Sequence, residues 1–198
     1  TGLYMSLKNQ RTMQPIKLHL GSGLKKLHGF VNIDIRPETN PDICYDITKI
    51  SELFKNEAEL ILSIHTLEHF PRKPSTFAPK TYKEVLNDWF SVLSKDGILR
   101  LSVPSLQAVV KQYIANDNLD QLQSFLYGGQ KHDFDFHYMC WDFRSLEKDL
   151  LEVGFKYVRE YDWRKTEHAY VDDYSQAYLP HMDKINGMIM SLNVEATK

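Results

Sequence analysis

The run Lys17-Leu18-His19-Leu20-Gly21-Ser22-Gly23 limits what this chain can fold into more than any other stretch. Apolar residues alternate into a Gly-x-Gly turn. A second short strand, Phe30-Val31-Asn32-Ile33, follows and ends in Asp34. A strand, a turn that lets backbone approach a ligand, and a carboxylate closing the next strand form the front half of a nucleoside site on an α/β sheet. An ionised carboxylate only accepts hydrogen bonds, which suits a ribose diol with its two donors.

The same stretch narrows the ligand. A dinucleotide site needs a third glycine three residues after the second, so that a helix N-terminus can approach the pyrophosphate. That position is Lys26, and the link from Gly23 to Phe30 is too short for a full crossover helix. A ribose-bearing ligand without phosphates fits better, and S-adenosylmethionine is the expected one. A nicotinamide oxidoreductase is disfavoured for the same reason.

With 198 residues, 42% apolar and 25% charged, the chain has the make-up of one globular domain. Its net charge of −2 argues against a sequence-independent grip on nucleic acid or on an anionic membrane. No apolar run is long enough to span a bilayer, and no signal peptide is visible. Cys44 and Cys140 have no metal or redox spacing and read as free thiols of a reducing, cytoplasmic compartment. Residues 1–15 are polar and aperiodic and read as a leader or linker, with the domain proper at 16–198. A start at Thr1 rather than Met suggests a trimmed chain, or one domain of a larger protein.

Further strands are expected at Ile43-Cys44-Tyr45, ending at Asp46; at Leu60–Ile64, apolar enough to be covered on both faces; at Ile98–Val103; at Phe155–Tyr161; and at Met188–Val194. Thr48 is a candidate cap for a short helix to about Lys55. Thr81-x-x-Glu84 is a capping box before Tyr82, Val85, Leu86, Trp89, Phe90 and Leu93 at helical spacing. Ser105 can cap a helix with Leu106, Val109, Val110, Tyr113 and Ile114 inward, and a shorter helix near Leu119–Leu126 ends at Gly128-Gly129. Asp142 can cap one with Phe143, Leu146, Leu150 and Val153 inward, ending at Gly154. Alternation of strands with helices or short crossovers argues for a largely parallel sheet. The last two strands are free to lie antiparallel at one edge.

Taken in order, Leu-Gly-Ser-Gly, Asn-Ile-Asp, Asp-Ile-Thr, Ile-His-Thr-Leu-Glu-His-Phe and Val-Leu-Ser-Lys-Asp-Gly-Ile-Leu-Arg-Leu-Ser-Val-Pro resemble the class I S-adenosylmethionine-dependent methyltransferases over about residues 16–161. The resemblance implies a Rossmann-like three-layer α/β fold, with a mostly parallel seven-stranded sheet whose last strand is antiparallel. It also implies roles. Gly21, Ser22 and Gly23 would pack against the methionine part of the cofactor, Asp34 would hold the ribose, Asp46 would accept from the adenine amino group with Ile47 against the ring, and Ser63 and His65 would lie beneath the methionyl end. Asp96-Gly97 departs from the Pro-Gly-Gly of many members. The tail, Asp172–Tyr178 and Pro180–Asp183, is similar to small methyltransferases of glycan biosynthesis in bacteria and large algal viruses. That similarity implies a carbohydrate hydroxyl as acceptor, with a small-molecule hydroxyl as the alternative and a non-catalytic binding module as the rival.

Methyl transfer to a hydroxyl needs a group to take its proton, and histidine is the usual one. His137 is the first candidate, in the aperiodic loop Lys131–Tyr138, with Asp133 or Asp135 to orient its ring; His65 and His69 follow. His65-Thr66-Leu67-Glu68-His69 also matches the H-x-x-E-H string of zinc proteases. That chemistry needs a helix placing both imidazoles on one face, Pro71 leaves room for about one turn, and no third ligand stands at a recognisable spacing. The string is read as a chance match, and no metal site is expected from it; a cation held by the Asp-rich tail is left open. Phe134, Phe136, Tyr138, Trp141, Trp163, Tyr170, Tyr174 and Tyr178 lie off the periodic segments and suit stacking on a sugar or a lid over the cofactor. Base methylation is disfavoured: the segment after the Leu60–Ile64 strand lacks the polar-Pro-Pro-aromatic run, and no basic groove is visible.

Overall fold

The computed structural model describes residues 15–198; the expected leader lies, apart from Pro15, outside the described residues. In chain order the strands are β1 (Ile16–Leu20), β2 (Val31–Asp34), β3 (Ile43–Cys44), β4 (Ala58–Ile64), β5 (Leu93–Pro104), β6 (Lys156–Glu160), β7 (Tyr178–Leu179), β8 (Met188–Ile189) and β9 (Ser191–Thr197). A seven-stranded sheet runs β3-β2-β1-β4-β5-β9-β6, and β7 and β8 pair apart from it. The β2–β3, β1–β2, β1–β4 and β4–β5 pairs are parallel, and β9 runs antiparallel to both neighbours. The fold is Rossmann-like, with the antiparallel strand last in the chain. It lies inside the sheet, leaving β6 at the edge. The expected strand from Met188 to Val194 is broken at Met190, whose N–H goes to Ala177 O.

Alternation along the strands separates two faces. Leu18, Leu20, Ile61, Leu99, Leu101, Val103, Leu192, Val194 and Ala196 share one buried cluster with residues of α1 (Tyr82–Val92) and α4 (Phe143–Val153). The Thr81 capping box and the Asp142 cap form as expected, and Gly154 ends α4 in the left-handed region. Trp141 is 1% exposed, packed edge-on to Tyr82 at 5.5 Å and donating to Asp149 Oδ2 at 3.1 Å. It belongs to the core, not to the exposed aromatics of its loop.

The other face combines an apolar patch of Leu60, Leu62 and Ile64 with buried polar groups. His19, Asn32, Arg100, Ser102, Asn193 and Glu195 are all buried there. Its cover is the irregular segment 162–176 rather than a helix. Glu167 reaches from it to Arg100 Nη1 (2.6 Å) and Lys17 Nζ (3.1 Å), and Val171 packs on the Leu27, Phe30, Leu60, Leu62, Ile64 cluster. Glu195 accepts from Arg100 Nε and Arg159 Nη2, each at 2.8 Å. Buried charges that are this fully paired fix where the cover sits.

No helix forms between β1 and β2, as the short link requires. The buried Asn32 amide holds that link instead. It accepts from Leu27 N and donates to Leu27 O and Phe30 O, and its Oδ1 also accepts a hydrogen bond from His19 Nδ1–H at 3.2 Å. Asp42 closes the turn from outside, bonded to Asn32 N and paired with Lys26.

Two local expectations change. Asp46, not Thr48, caps the 3-10 segment Ile47–Glu52, because its Oδ1 takes both the Thr48 N–H and hydroxyl. Ser105 caps α2 (Leu106–Asn116), but only Ala108 and Val109 are buried on it; Val110, Tyr113 and Ile114 face solvent. The helix is amphipathic in sequence, yet the layer beside it is only the small Leu122–Met190 cluster. The short α3 (Gln123–Tyr127) follows and stops at Gly128. No helix among the described residues is long and apolar enough to cross a membrane.

Candidate active site

The carboxyl ends of β1, β2 and β4 converge on the glycine turn. Gly21 has φ +68°, and a Cβ there would lie 2.5 Å from Thr66 Oγ1, so the turn packs directly on the segment leaving β4. Gly23 N donates to Asp34 Oδ2 at 2.8 Å, and Arg36 N donates to Oδ1 at 2.9 Å. The Arg36 Nε contact to Oδ1, at 3.4 Å, is the weakest of the three. A carboxylate offers about four acceptor positions, so displacing that one contact frees room for a diol. Ser22 Oγ is buried without a hydrogen-bond partner among the described residues, an orphan in the cradle itself. Asp46 and the buried Ile47 stand at the start of the next connection, at the end of β3. These donors and acceptors fit S-adenosylmethionine.

Ser63 is buried and donates to Leu20 O at 3.2 Å, tying β4 to β1. His65 ends β4 with φ +46°, a left-handed conformation that costs energy for a non-glycine residue. Its Nε2 lies 2.8 Å from Ser191 Oγ, which itself donates to Tyr174 O. Ser191 therefore accepts from His65 Nε2–H, and the Nδ1 lone pair faces Glu68 Oε1 at 3.5 Å. Burial pushes the His65 imidazole down to about 3. A ring this hard to protonate, with one nitrogen engaged, is a poor proton acceptor.

Sequence reasoning passed over Glu68 except as a letter in a motif. Its side chain is 0% exposed, and burial pushes its carboxyl up to about 8. Neither carboxylate oxygen has a hydrogen-bond partner among the described residues. Around it stand His65, His69 and His137. His69 Nδ1 donates to Phe136 O at 2.9 Å and His137 Nδ1 to Phe125 O at 3.0 Å. Each ring therefore keeps its lone pair on Nε2. The two rings meet edge-on at 4.9 Å, and burial holds both imidazoles below the usual histidine range, His69 at about 4.

The loop after α3 thus folds over the strand ends, as expected. Tyr138 N donates to Glu68 O at 2.8 Å, and His132 Nε2 lies 3.1 Å from Arg36 Nη1. The partner of the His137 ring is Phe125 O, not Asp133 or Asp135. Asp135 closes its own loop instead, accepting from Lys131 N and lying against Gly129. Phe134, Phe136, Tyr138 and Tyr174 are exposed, with the Tyr174 ring 5.3 Å from His65. Tyr178 is buried and accepts from Trp163 and Arg164. In the Asp-rich tail, Asp173 is buried against His168, Asp172 binds Lys184, and Asp183 caps its own turn.

No protein-family model and no curated protein matches the sequence. Solved structures match in fold. A protein from Bordetella parapertussis superposes with a TM-score of 0.56 at 15% identity, over 100% of this chain and 66% of that one. An S-adenosylmethionine-dependent methyltransferase from Thermotoga maritima gives 0.56 at 10% identity, over 99% and 87%. One from Archaeoglobus fulgidus gives 0.56 at 12% identity, over 100% and 92%.

Proposed function

We propose that this chain is an S-adenosylmethionine-dependent methyltransferase that methylates a hydroxyl, with a sugar as the preferred acceptor and a small-molecule hydroxyl as the alternative. The observation that carries the first part is the Gly21–Gly23 turn closed on Asp34 through Gly23 N, in a fold shared with methyltransferases that use this cofactor. Gly21, Ser22 and Gly23 would seat the methionine part, Asp34 the ribose, Asp46 and Ile47 the adenine, and Ser63 and His65 would back the methionyl end. Bound there, the cofactor supplies an electrophilic methyl group on a sulfonium.

The chain's own residues do the rest. The His137 loop and the Glu68 turn, bonded through Tyr138 N, wall the acceptor side and exclude water. His137 presents a neutral imidazole with its Nε2 lone pair turned toward this side, the state a proton acceptor needs. Phe134, Phe136, Tyr138 and Tyr174 give exposed apolar faces around the cluster, which supports an acceptor with stackable C–H faces and hydroxyls.

Calorimetry with S-adenosylhomocysteine tests the cofactor, and stoichiometric binding is expected. No heat up to millimolar ligand overturns the reading. His137→Ala should keep that affinity and lose turnover.

A further inference from the structure

We propose that Glu68, His69 and His137 form a binding site for a divalent cation of the zinc or manganese class. One ligand atom from each of the three residues lies within 4.8 Å of the other two. Metal-binding imidazoles characteristically donate their second N–H to a carbonyl or carboxylate, which fixes the ring and aims the lone pair. Both histidines do this here, His69 to Phe136 O and His137 to Phe125 O. The third group, Glu68, is fully buried, and its carboxyl oxygens have no hydrogen-bond partner among the described residues. His65 Nδ1 lies 3.5 Å and His137 Nε2 3.9 Å from its Oε1. A buried, unpartnered carboxyl beside two imidazoles whose second nitrogen is already bonded is the arrangement a cation would complete.

The site is not that of the protease string. His65 Nδ1 lies 3.5 Å from Glu68 Oε1, but it is Glu68, His69 and His137 whose ligand atoms all fall within 4.8 Å of one another, so the motif contributes Glu68 and His69. The third ligand arrives from the loop after α3, clamped by Tyr138 N and Met139 N on Glu68 O. Two imidazoles and one carboxylate suit zinc, manganese or ferrous iron; magnesium and calcium prefer all-oxygen shells. Three protein ligands leave coordination positions open, and these would take hydroxyl oxygens of the acceptor. With the cation bound, the His137 Nε2 lone pair is a ligand, and its role as proton acceptor belongs to the cation-free site. That last step rests on the methyl-transfer reading, whereas binding of the cation does not.

The test is calorimetric titration of chelator-stripped protein with zinc chloride and with manganese chloride, alongside the visible spectrum of the cobalt-substituted protein. One cation per chain is expected. Glu68→Gln and His137→Ala should each weaken binding by roughly 10- to 100-fold, and His181→Ala, at an exposed position, should not. His137→Gln, on the surface loop, replaces Glu68→Gln should the latter fail to fold by circular dichroism. Substoichiometric binding of both metals, or undiminished binding in the His137 variants, overturns the site. S-adenosylhomocysteine binding is measured on the same samples. Homocysteine-ligand binding without a cation overturns only the metal site, and a cation without that binding overturns only the methyltransferase reading.

Discussion

Arg36 joins the two halves of the candidate site: its backbone N–H and Nε lie on Asp34, and its Nη1 lies 3.1 Å from His132 Nε2 on the loop that carries His137. The Asp34 carboxylate and the loop that carries His137 therefore share one side chain.

Asp34→Ala should weaken S-adenosylhomocysteine by about tenfold or more, since it removes the acceptor for two backbone N–H groups and for the ligand diol, at about 1–3 kcal/mol per lost buried partner. Turnover at saturating cofactor should survive. Isothermal titration and kcat measured together check this, and an unchanged affinity would show that Asp34 only shapes the turn.

Gly21→Ala should destabilise the fold by about 1–3 kcal/mol, because the new methyl meets Thr66 and the φ of +68° disfavours any side chain. Thr66→Gly in the same chain should restore part of the loss, the part due to contact rather than to backbone. Urea unfolding of the two singles and the double gives the coupling, and strict additivity would mean that the two residues do not meet.

His19 carries a pH signature. Burial pushes its imidazole down to about 4, against 6.5 for the unfolded chain. Between those values the unfolded state binds the proton and the folded state does not, so stability falls as pH drops from 6.5 towards 4, by roughly 3 kcal/mol. His65 and His69, also pushed down, add in the same direction. Unfolding midpoints at pH 7 and pH 5 should differ less in His19→Gln than in the parent; equal differences would refute the assignment.

Glu195→Ala should cost about 1–3 kcal/mol, since it leaves the buried Arg100 with Glu167 as its one carboxylate partner and takes the partner from Arg159. The segment 162–176, tied to Arg100 through Glu167, should then be cut faster by protease than in the parent. Parental cleavage rates would mean that Val171 and its apolar contacts hold the cover alone.

What the sequence disclosed depended on how local the cause was. Caps at Thr81 and Asp142 and the stop at Gly154 are settled within one helical turn, and all three stand where the residues put them. The missing β1–β2 helix was legible from chain length alone. Periodicity on α2 correctly showed one apolar side but carried no word on whether a neighbour would cover it, and Val110, Tyr113 and Ile114 remain exposed. Trp141 looked like part of an exposed loop because its partners, Tyr82 and Asp149, lie on two separate helices. The Glu68–His69–His137 grouping was hidden for a like reason. Two of its members are neighbours in a motif that suggested the wrong pair, and the third comes from a distant loop whose path no spacing rule describes.

The placement of β9 has a consequence for synthesis. Ser191–Thr197 is synthesised after both strands it joins, pairing with β5 on one side and β6 on the other. Until it emerges, the nascent chain holds two bare strand edges with no direct way to close on each other. Vectorial folding can therefore complete only the β3-β2-β1-β4-β5 half. The remainder is a late, long-range insertion, the kind of step that is slow and leaves a waiting chain dependent on protection from its neighbours.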